Sequence, residues 1–388
     1  MDIRARSDFE ESQLENYRNL MRDMRRFSIL SLVLCCTACA FFKPSDHFEA
    51  HEISFHDLSG WQDDSQTEAL AAFVAGCPLL ATKTQAPSPS SELKVPQSVW
   101  QSLCDEAKRV SPENNAQARL FFEQRFVPYR VANNGREQGL FTGYYEPMLY
   151  GSPTKRGDFI YPLYIAPPDL ETKKPYFTRA EIDKGALDGR KLELIWIDDP
   201  VMLFFLQVQG SGIIRMAHGR EIQVGYAGKN GQPYVSLGKI MGEKGLIAGD
   251  QINFFSLRQW LYQHPDQAFD VMEHNPSYVF FHQLNTNGVV GAAGTVLTSQ
   301  RSLAIDNHYI PYGLPLFLET ELPPTQSTSA LPFHRLMVAQ DTGSAIRGPV
   351  RGDIFFGAGE GAEYMAGYMK GHGVYSLLVP KEITSQLQ

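Results

Sequence analysis

The 388-residue sequence lacks several features that would assign it to common classes of protein. The apolar run at residues 27–36 is too short to span a bilayer, which takes about 20 apolar residues, and no other run is longer and as apolar. Lys and Arg (35) are outnumbered by Asp and Glu (43), and the net charge of −8 argues against nucleic acid as a partner. Internal repeats are absent. The histidines form no ligand cluster beyond the i,i+4 pair His47 and His51, so we expect no metal and no cofactor.

Cysteine is also scarce, and its placement indicates export. Three of the five cysteines lie within residues 35–39, at the end of the apolar run, which itself follows a short basic segment that begins at Met24. This arrangement is typical of a signal peptide. Cys36-Thr-Ala-Cys39 resembles a bacterial lipobox, which predicts lipidation at Cys39; cleavage after Ala40 as an ordinary secretory site is the alternative. Because the signal begins at Met24, Met21 or Met24 is a candidate for the true start.

The two remaining cysteines, Cys77 and Cys104, would be exposed to an oxidising compartment after export. A disulfide between them is the simplest prediction there, and two buried free thiols are the alternative. Each lies in or near a predicted helical stretch, one before and one after a Pro/Ser-rich loop at residues 85–95. Ser65 and Glu68 have the spacing of a capping box at the start of the first stretch.

The rest of the pattern predicts a mostly β protein with N-terminal helices. Residues 60–128 indicate three helices. Gly and Pro together occupy 56 positions of the whole chain, which favours short strands and tight turns in the remainder. Further helices are predicted after the capping box Thr178–Glu181 and at residues 256–274. The predicted strands are 140–141, 159–165, 192–197, 202–208, 222–226, 278–281, 316–318, 335–339, 354–356 and 374–379.

Three aspartates lie among strand-forming apolar residues and glycines near the C-terminus. Asp341 ends the apolar stretch 336–339 and is followed by Gly343, so its side chain is expected at a strand end that a ligand can approach closely. Asp353 and Asp306 lie in similar surroundings. Because burying a carboxylate is costly, such residues usually serve chemistry or a specific hydrogen-bond framework.

The three aspartates resemble the 3D (Asp-Asp-Asp) domain of the membrane-bound lytic murein transglycosylase A (MltA) family. The resemblance extends upstream through four further motifs in the family's order, at residues 141–147, 207–212, 226–231 and 275–281. It implies a double-psi β-barrel with a second, smaller inserted β domain. The implied divisions are a signal peptide (1–38), a tether (39–60), the barrel (61–147 plus 284–388, with the 3D motif at about 303–380) and the insert (148–283), with the substrate groove between barrel and insert.

The resemblance also implies a reaction. A lytic transglycosylase cleaves the MurNAc-GlcNAc β-1,4 bond of peptidoglycan with one acid-base residue and closes a 1,6-anhydro ring on the muramyl product. The family's catalytic aspartate matches Asp341. Asp353 matches the third aspartate and is expected to orient substrate or hold the loop, whereas Asp306 is expected to be structural, capping the turn that follows it.

Further groups are predicted to bind substrate from their place in the family's motifs and from their chemistry. Rings, hydroxyls, an ammonium, an amide and glycine backbones all suit sugars. The predicted set is Thr342, Gly343, Ser344, Tyr144, Tyr145, Gln209, Gly210, Ser211, Gly212, Tyr226, Lys229 and Asn230. Without the family, Gln209 to Gly212 is a plain hairpin turn after a strand, and either tyrosine could belong to the core.

Other functions remain open at this stage. A murein hydrolase would use a second carboxylate, and a non-catalytic murein-binding lipoprotein would use the same groove. Asp341-Thr-Gly343 matches an aspartic-protease signature, but the sequence has no second such motif to supply the paired aspartate. The expected partners are peptidoglycan strands, a membrane through the lipid anchor, and other cell-wall enzymes. The expected location is the periplasmic face of the envelope, at the outer membrane of a Gram-negative bacterium.

Overall fold

The computed structural model describes residues 45–82, 93–285, 288–325 and 328–387. The predicted signal peptide, the lipidation site at Cys39 and most of the Pro/Ser-rich loop lie outside these ranges. Within them, no helix combines the length and the apolar character that crossing a membrane requires. Residues from His47 onward form one compact unit.

Helices are concentrated at the start of this unit and in its middle. The α-helices are α1 (Gln66–Leu80), α2 (Gln97–Ala107), α3 (Asn115–Arg125), α4 (Arg179–Asp183), α5 (Pro200–Gln209), α6 (Leu237–Glu243), α7 (Phe254–Gln263), α8 (Pro265–Glu273) and α9 (Glu360–Tyr368). The 3-10 turns are Phe55–Asp57, Ala217–Gly219, Gly249–Gln251 and Lys381–Leu387. The first three helices are those that the sequence predicts for residues 60–128.

Strands supply the frame of the fold. They are β1 (Phe48–Glu52), β2 (Phe126–Asn133), β3 (Gly139–Glu146), β4 (Met148–Ser152), β5 (Tyr161–Tyr164), β6 (Glu193–Ile197), β7 (Ser211–Arg215), β8 (Glu221–Lys229), β9 (Val279–Gln283), β10 (Ser302–Ile305), β11 (Pro315–Leu322), β12 (Leu331–Asp341), β13 (Arg351–Ala358) and β14 (Lys370–Pro380).

Six of these strands close into a barrel. Their order is β14-β11-β12-β10-β13-β3, and a further pairing of β3 with β14 completes the ring. The pairs β10–β12 and β13–β3 are parallel, and β2 and β1 extend the sheet from β14. Buried residues of β11, β12 and β14 share one core with helices α1 to α3. The prediction of a mostly β fold built on a closed barrel is confirmed.

A second sheet has the order β5-β6-β4-β7-β8-β9. All six of its strands lie between residues 148 and 283, the interval predicted for the inserted domain. The chain leaves the barrel at the end of β3, builds this sheet and helices α4 to α8, and returns to the barrel at β10. Its apolar side chains form three cores of their own: one among the strands, one among the helices, and a third around Tyr164, Tyr278 and Phe280.

One predicted strand, residues 202–208, is wrong: this stretch belongs to helix α5. Its start is capped by Asp199, whose Oδ1 accepts hydrogen bonds from the backbone N–H groups of Val201 and Met202, at 2.9 and 3.0 Å. Its end is Gly210, which takes the left-handed conformation (φ 86°) that favours glycine. The helix is buried on nearly all sides, so its apolar run has no 3.6-residue period and cannot be told from a buried strand.

Two smaller predictions also need correction. The helix expected at 256–274 is two helices, α7 and α8, because Pro265 lacks the backbone N–H that would continue the first one. The capping box Thr178–Glu181 is confirmed. The one predicted at Ser65 is not formed, since the Ser65 hydroxyl contacts Thr67 instead of a backbone N–H group.

The predicted disulfide between Cys77 and Cys104 is confirmed, with the two Cα atoms 5.6 Å apart. It joins α1 to α2 across the Pro/Ser-rich loop. With 27 residues of separation, chain entropy alone gives a stabilisation of about 3–4 kcal/mol.

Candidate active site

A row of paired residues crosses the barrel wall at the end of β12. Asp341 pairs with Ala304 of β10, and Ala304 pairs on its other side with Asp353 of β13. Asp353 in turn pairs with Thr142 of β3. Directly paired residues of neighbouring strands present their side chains on one face, and strands lie about 4.8 Å apart. The two aspartates therefore share a face of the barrel, with Cα atoms roughly 10 Å apart.

Three donors hold the carboxylate of Asp341. The backbone N–H groups of Ala292 and Thr342 both donate to Oδ1 at 2.9 Å. The hydroxyl of Tyr144 donates to Oδ2 at 2.8 Å. The pKa of Tyr144 is raised well above its usual value by burial and then by the charge of Asp341. The phenol therefore remains a donor throughout the physiological range, and Asp341 is fixed in one orientation.

The surroundings of Asp341 are apolar. A small buried cluster lies below it: Tyr144, Val289, Leu297, Ala304, Ile346 and Phe355. Loss of hydration in this pocket raises the pKa of Asp341, and the three hydrogen bonds counteract that rise only in part. The balance favours a carboxyl group that stays protonated at higher pH than an ordinary aspartate, which is the property of a general acid.

Asp353 has a different environment. Its Oδ1 accepts a hydrogen bond of 2.5 Å from the Thr142 hydroxyl, which in turn accepts one of 2.8 Å from Arg351. Burial raises the pKa of Asp353 to about 6; the Arg351 charge and the Thr142 bond oppose the rise, and Asp341 adds to it. Near neutral pH this group is therefore mostly ionised.

The loop between β12 and β13 borders Asp341. Thr342 donates its hydroxyl to the carbonyl of Ile305 at 2.8 Å, which fixes the first residue after the aspartate. Gly343 follows it, and Ser344 is exposed. The Oγ of Ser344 lies 3.0 Å from the ammonium of Lys229, at the end of β8 in the second sheet. This contact links the second sheet to the loop that follows the aspartate.

Asp306 is buried behind that same loop. Its carboxylate accepts backbone hydrogen bonds from His308 at 3.2 Å and from Gly348 at 2.8 Å, and Arg347 lies 3.5 Å away. These bonds hold the turn after β10 and the end of the loop together. The geometry is that expected of a structural aspartate.

Two predicted substrate groups face the interior of the protein. Tyr145 is buried on the face of β3 opposite to Tyr144, and its ring contacts Phe254 with centroids 5.8 Å apart. Asn230 is fully buried; its amide donates to the carbonyls of Phe177 and Pro276 and accepts from a backbone N–H group. A ligand would have to break these bonds, so we assign both residues to the framework.

The segment from Gln209 to Gly212 also differs from the prediction, because it follows a helix and continues as strand β7. Gln209 Oε1 accepts a hydrogen bond from the backbone N–H of Tyr145 at 3.1 Å, and Ser211 is buried. A side chain at Gly212 would lie 2.8 Å from the carbonyl oxygen of Pro147. These residues join β7 to the chain where it leaves the barrel. Tyr226, by contrast, is 51% exposed on β8.

Sequence reasoning missed several groups around the aspartates. The backbone N–H of Ala292 carries no side-chain signal, although the glycines on either side of 292–293 indicate a tight turn. Thr142 and Arg351 could have been found, because Arg351 lies two residues before Asp353 on one strand and so shares its face. In the described parts of the chain, no group of three His, Cys, Asp or Glu side chains is placed to hold a metal ion.

Comparisons with known proteins agree with this geometry. The family model of the MltA specific insert domain matches residues 140–282, and that of the 3D domain matches residues 301–379. A curated relative, membrane-bound lytic murein transglycosylase A of Vibrio cholerae, is 34% identical over 244 residues. That alignment covers 62% of this chain and 65% of the relative, so the chain spans just under two thirds of the relative's length.

Solved structures match over more of the chain. The crystal structure of a membrane-bound lytic murein transglycosylase from Agrobacterium tumefaciens has a TM-score of 0.78 and 32% identity, covering 88% of this chain and 100% of that one. Escherichia coli MltA with bound chitohexaose has a TM-score of 0.63 and 26% identity, covering 87% and 92%. The chain belongs to the membrane-bound lytic murein transglycosylase A family.

Proposed function

We propose that the protein is a lytic transglycosylase that cleaves the β-1,4 bond between MurNAc and GlcNAc in peptidoglycan, with Asp341 as its only acid-base residue. The observation that carries this proposal is the state of Asp341: one carboxyl group in an apolar pocket, with raised pKa, held by three donors at a strand end. The names of the relatives support the same reaction.

The reaction assigns two tasks to this one group. The protonated Asp341 first donates its proton to the bridging oxygen while positive charge develops at C1 of the muramyl residue. The resulting carboxylate then takes the proton of the muramyl 6-hydroxyl, whose oxygen attacks C1 and closes the 1,6-anhydro ring. The donors from Ala292, Thr342 and Tyr144 stabilise the anionic stage. The apolar pocket favours the protonated one.

The glycan strand is proposed to lie between the barrel and the second sheet. Two features of residues 148–283 support this placement. Lys229 donates a hydrogen bond to Ser344 in the loop that follows Asp341, and Tyr234 lies close enough to Asp353 for that charge, together with burial, to raise the pKa of Tyr234. In the E. coli relative, chitohexaose is the bound ligand, so a chain of β-1,4-linked sugars fits this fold.

The products test the reaction directly. Purified murein sacculi digested by the protein are expected to release fragments ending in 1,6-anhydromuramic acid, each lighter by one water than a hydrolysis product. Mass spectrometry of the digest measures this difference. Fragments with a reducing-end muramic acid would show that water, and not the 6-hydroxyl, attacks C1.

A murein hydrolase is the second candidate. It is favoured by the position of Asp353 on the same face as Asp341, since paired carboxyl groups across a substrate are the usual arrangement of hydrolytic glycosidases. With a pKa of about 6, Asp353 would be ionised enough to activate water. The product analysis decides between the two reactions.

Tyr144→Phe is expected to shift the pH dependence of the reaction. The lost hydroxyl stabilises ionised Asp341, so its removal raises the pKa of Asp341 further. Activity requires a protonated Asp341 in the free enzyme, so it falls as pH rises through that pKa, and the falling limb should move to higher pH. On the acidic side the variant should stay within about tenfold of the parent, the effect of one hydrogen bond. A proportional loss at every pH would contradict this role.

Membrane attachment is proposed to depend on Cys39, in line with the membrane-bound relatives. The support is the basic and apolar segment that ends in the lipobox-like residues 36–39. A lipid on that cysteine would hold the enzyme at the periplasmic face of the outer membrane, beside its peptidoglycan substrate and other cell-wall enzymes.

A further inference from the structure

Lys229 stands at a fixed point of the second sheet. It is the last residue of β8 and pairs with Val279 of β9. The next residue, Asn230, is anchored by hydrogen bonds from its amide to Phe177 and Pro276, at 2.9 and 2.8 Å. The backbone that carries the lysine is therefore held on both sides, so the side chain starts from a fixed point.

The ammonium contacts the loop that follows the reacting group. The ammonium lies 3.0 Å from the hydroxyl of Ser344, three residues after Asp341. Three residues of extended chain span at most about 11 Å, which bounds the distance between the backbones of Ser344 and Asp341. A cation therefore lies within a short reach of the group that would donate the proton.

Among the residues that the structure describes, no carboxylate forms an ion pair with this cation, which donates instead to Ser344. Other lysines of residues 148–283, such as Lys174 and Lys184, form ion pairs with carboxylates. Lys229 instead contacts a neutral hydroxyl. In a chain of net charge −8, the position is suited to an anion supplied by the ligand.

We propose that Lys229 binds a carboxylate carried by the muramyl residue, and so selects muramyl glycan over neutral β-1,4-linked sugars. This inference rests on the proposed function. The muramyl residue reacts at C1, so its 3-O-lactyl group is fixed close to Asp341. Two sources offer the same chemistry: the free lactyl carboxylate of peptide-free glycan, and the carboxylates of the stem peptide where the lactyl group is amidated.

Binding to the full-length chain tests the proposal without turnover, in an Asp341→Asn background. Three probes are compared: murein fragments bearing peptides, peptide-free murein fragments, and chitohexaose, which has no carboxylate. Lys229→Gln is expected to weaken binding of muramyl probes by roughly 5- to 30-fold, the range of a charge-assisted hydrogen bond. Chitohexaose affinity should not change. The difference should shrink as salt is added, because screening acts on charge pairs near the surface.

The pattern across the probes identifies the source. A loss only on peptide-free fragments assigns the lactyl carboxylate, a loss only on peptide-bearing fragments assigns the stem peptide, and a loss on both shows that either is accepted. Lys244→Gln is the control variant: it removes the same charge from an exposed position within residues 148–283 and should leave all three affinities unchanged. Lys229→Arg should retain most of the preference.

Two results would overturn the proposal. One is an equal loss on chitohexaose, which would make Lys229 a contact for neutral sugar or a structural residue. The other is unchanged affinity for every probe in a variant whose melting temperature matches the parent. Neither bears on the proposed reaction, which fails separately if the wild-type protein releases no anhydromuramyl product.

Discussion

Asp341→Asn is expected to lower turnover of murein by roughly 10²- to 10⁴-fold, the range typical of a positioned general acid-base group. Asparagine preserves the shape of the side chain and can still accept the backbone hydrogen bonds of Ala292 and Thr342. It cannot deliver a proton to the bridging oxygen or take one from the 6-hydroxyl. Both halves of the proposed reaction are lost with one atom change, whereas the glycan should still bind.

Initial rates on purified sacculi, together with glycan affinity, measure this separation of chemistry from binding. Asp353→Asn is the matched control, because it makes the same change on the same face of the barrel. It should reduce turnover less if Asp353 only orients substrate or holds the loop. Equal losses in the two variants would instead indicate two cooperating carboxyl groups and favour the hydrolase. Loss of glycan affinity in Asp341→Asn would show damage to the groove.

Arg301→Met is expected to destabilise the protein by about 3–5 kcal/mol. The Arg301 guanidinium is 2% exposed and donates to both carboxylate oxygens of Asp64 at 2.9 Å, and also to the carbonyl of Leu336 at 2.9 Å. Asp64 lies just before α1, and Leu336 lies in β12. Removing the arginine leaves a buried carboxylate without its cation, so the cost exceeds that of the lost contacts.

Denaturant unfolding, monitored at neutral pH, measures this free energy. Adding Asp64→Asn to Arg301→Met should recover part of the loss, because the amide keeps an acceptor for the backbone N–H of Leu336 and removes the unpaired charge. Arg215→Met is the surface control: Arg215 and Glu221 are about 40% exposed, and their pair should contribute less than about 1 kcal/mol. A double variant no more stable than Arg301→Met would contradict the explanation.

Much of the candidate site can be predicted from the sequence. Asp341 is recognisable as the end of an apolar strand followed by glycine, and the structure places it at the last residue of β12. Tyr144, Asp353, Ser344 and Lys229 carry groups suited to sugars and all lie around that strand end. The disulfide follows from cysteine usage and export. The site residues are predicted from the resemblance to the family's motifs together with local sequence, and the disulfide from counting cysteines.

Other assignments fail because a side chain's type does not tell which side of a sheet it occupies. Tyr144 and Tyr145 are neighbours in sequence and identical in chemistry, yet strand alternation sends one to Asp341 and the other to the core. Asn230 is as polar as a ligand-binding amide, but its amide group donates hydrogen bonds to the backbone carbonyls of Phe177 and Pro276. The sequence of helix α5 predicts a strand because the helix is buried on nearly all sides, and its apolar residues therefore show no 3.6-residue period.

The strand-rich class, the three N-terminal helices and the disulfide can be read from the residues, and the resemblance to the family's motifs selects Asp341 as the candidate acid. The groups that set the properties of that acid are visible only in the folded chain. The pairing of Thr142 with Asp353 and the ion pair of Arg301 with Asp64 join residues more than 200 positions apart. The donor from Ala292 is a backbone atom without a side-chain signature. Such contacts depend on the register in which distant strands close the barrel, and that register is fixed by packing of the whole core, which no local pattern encodes.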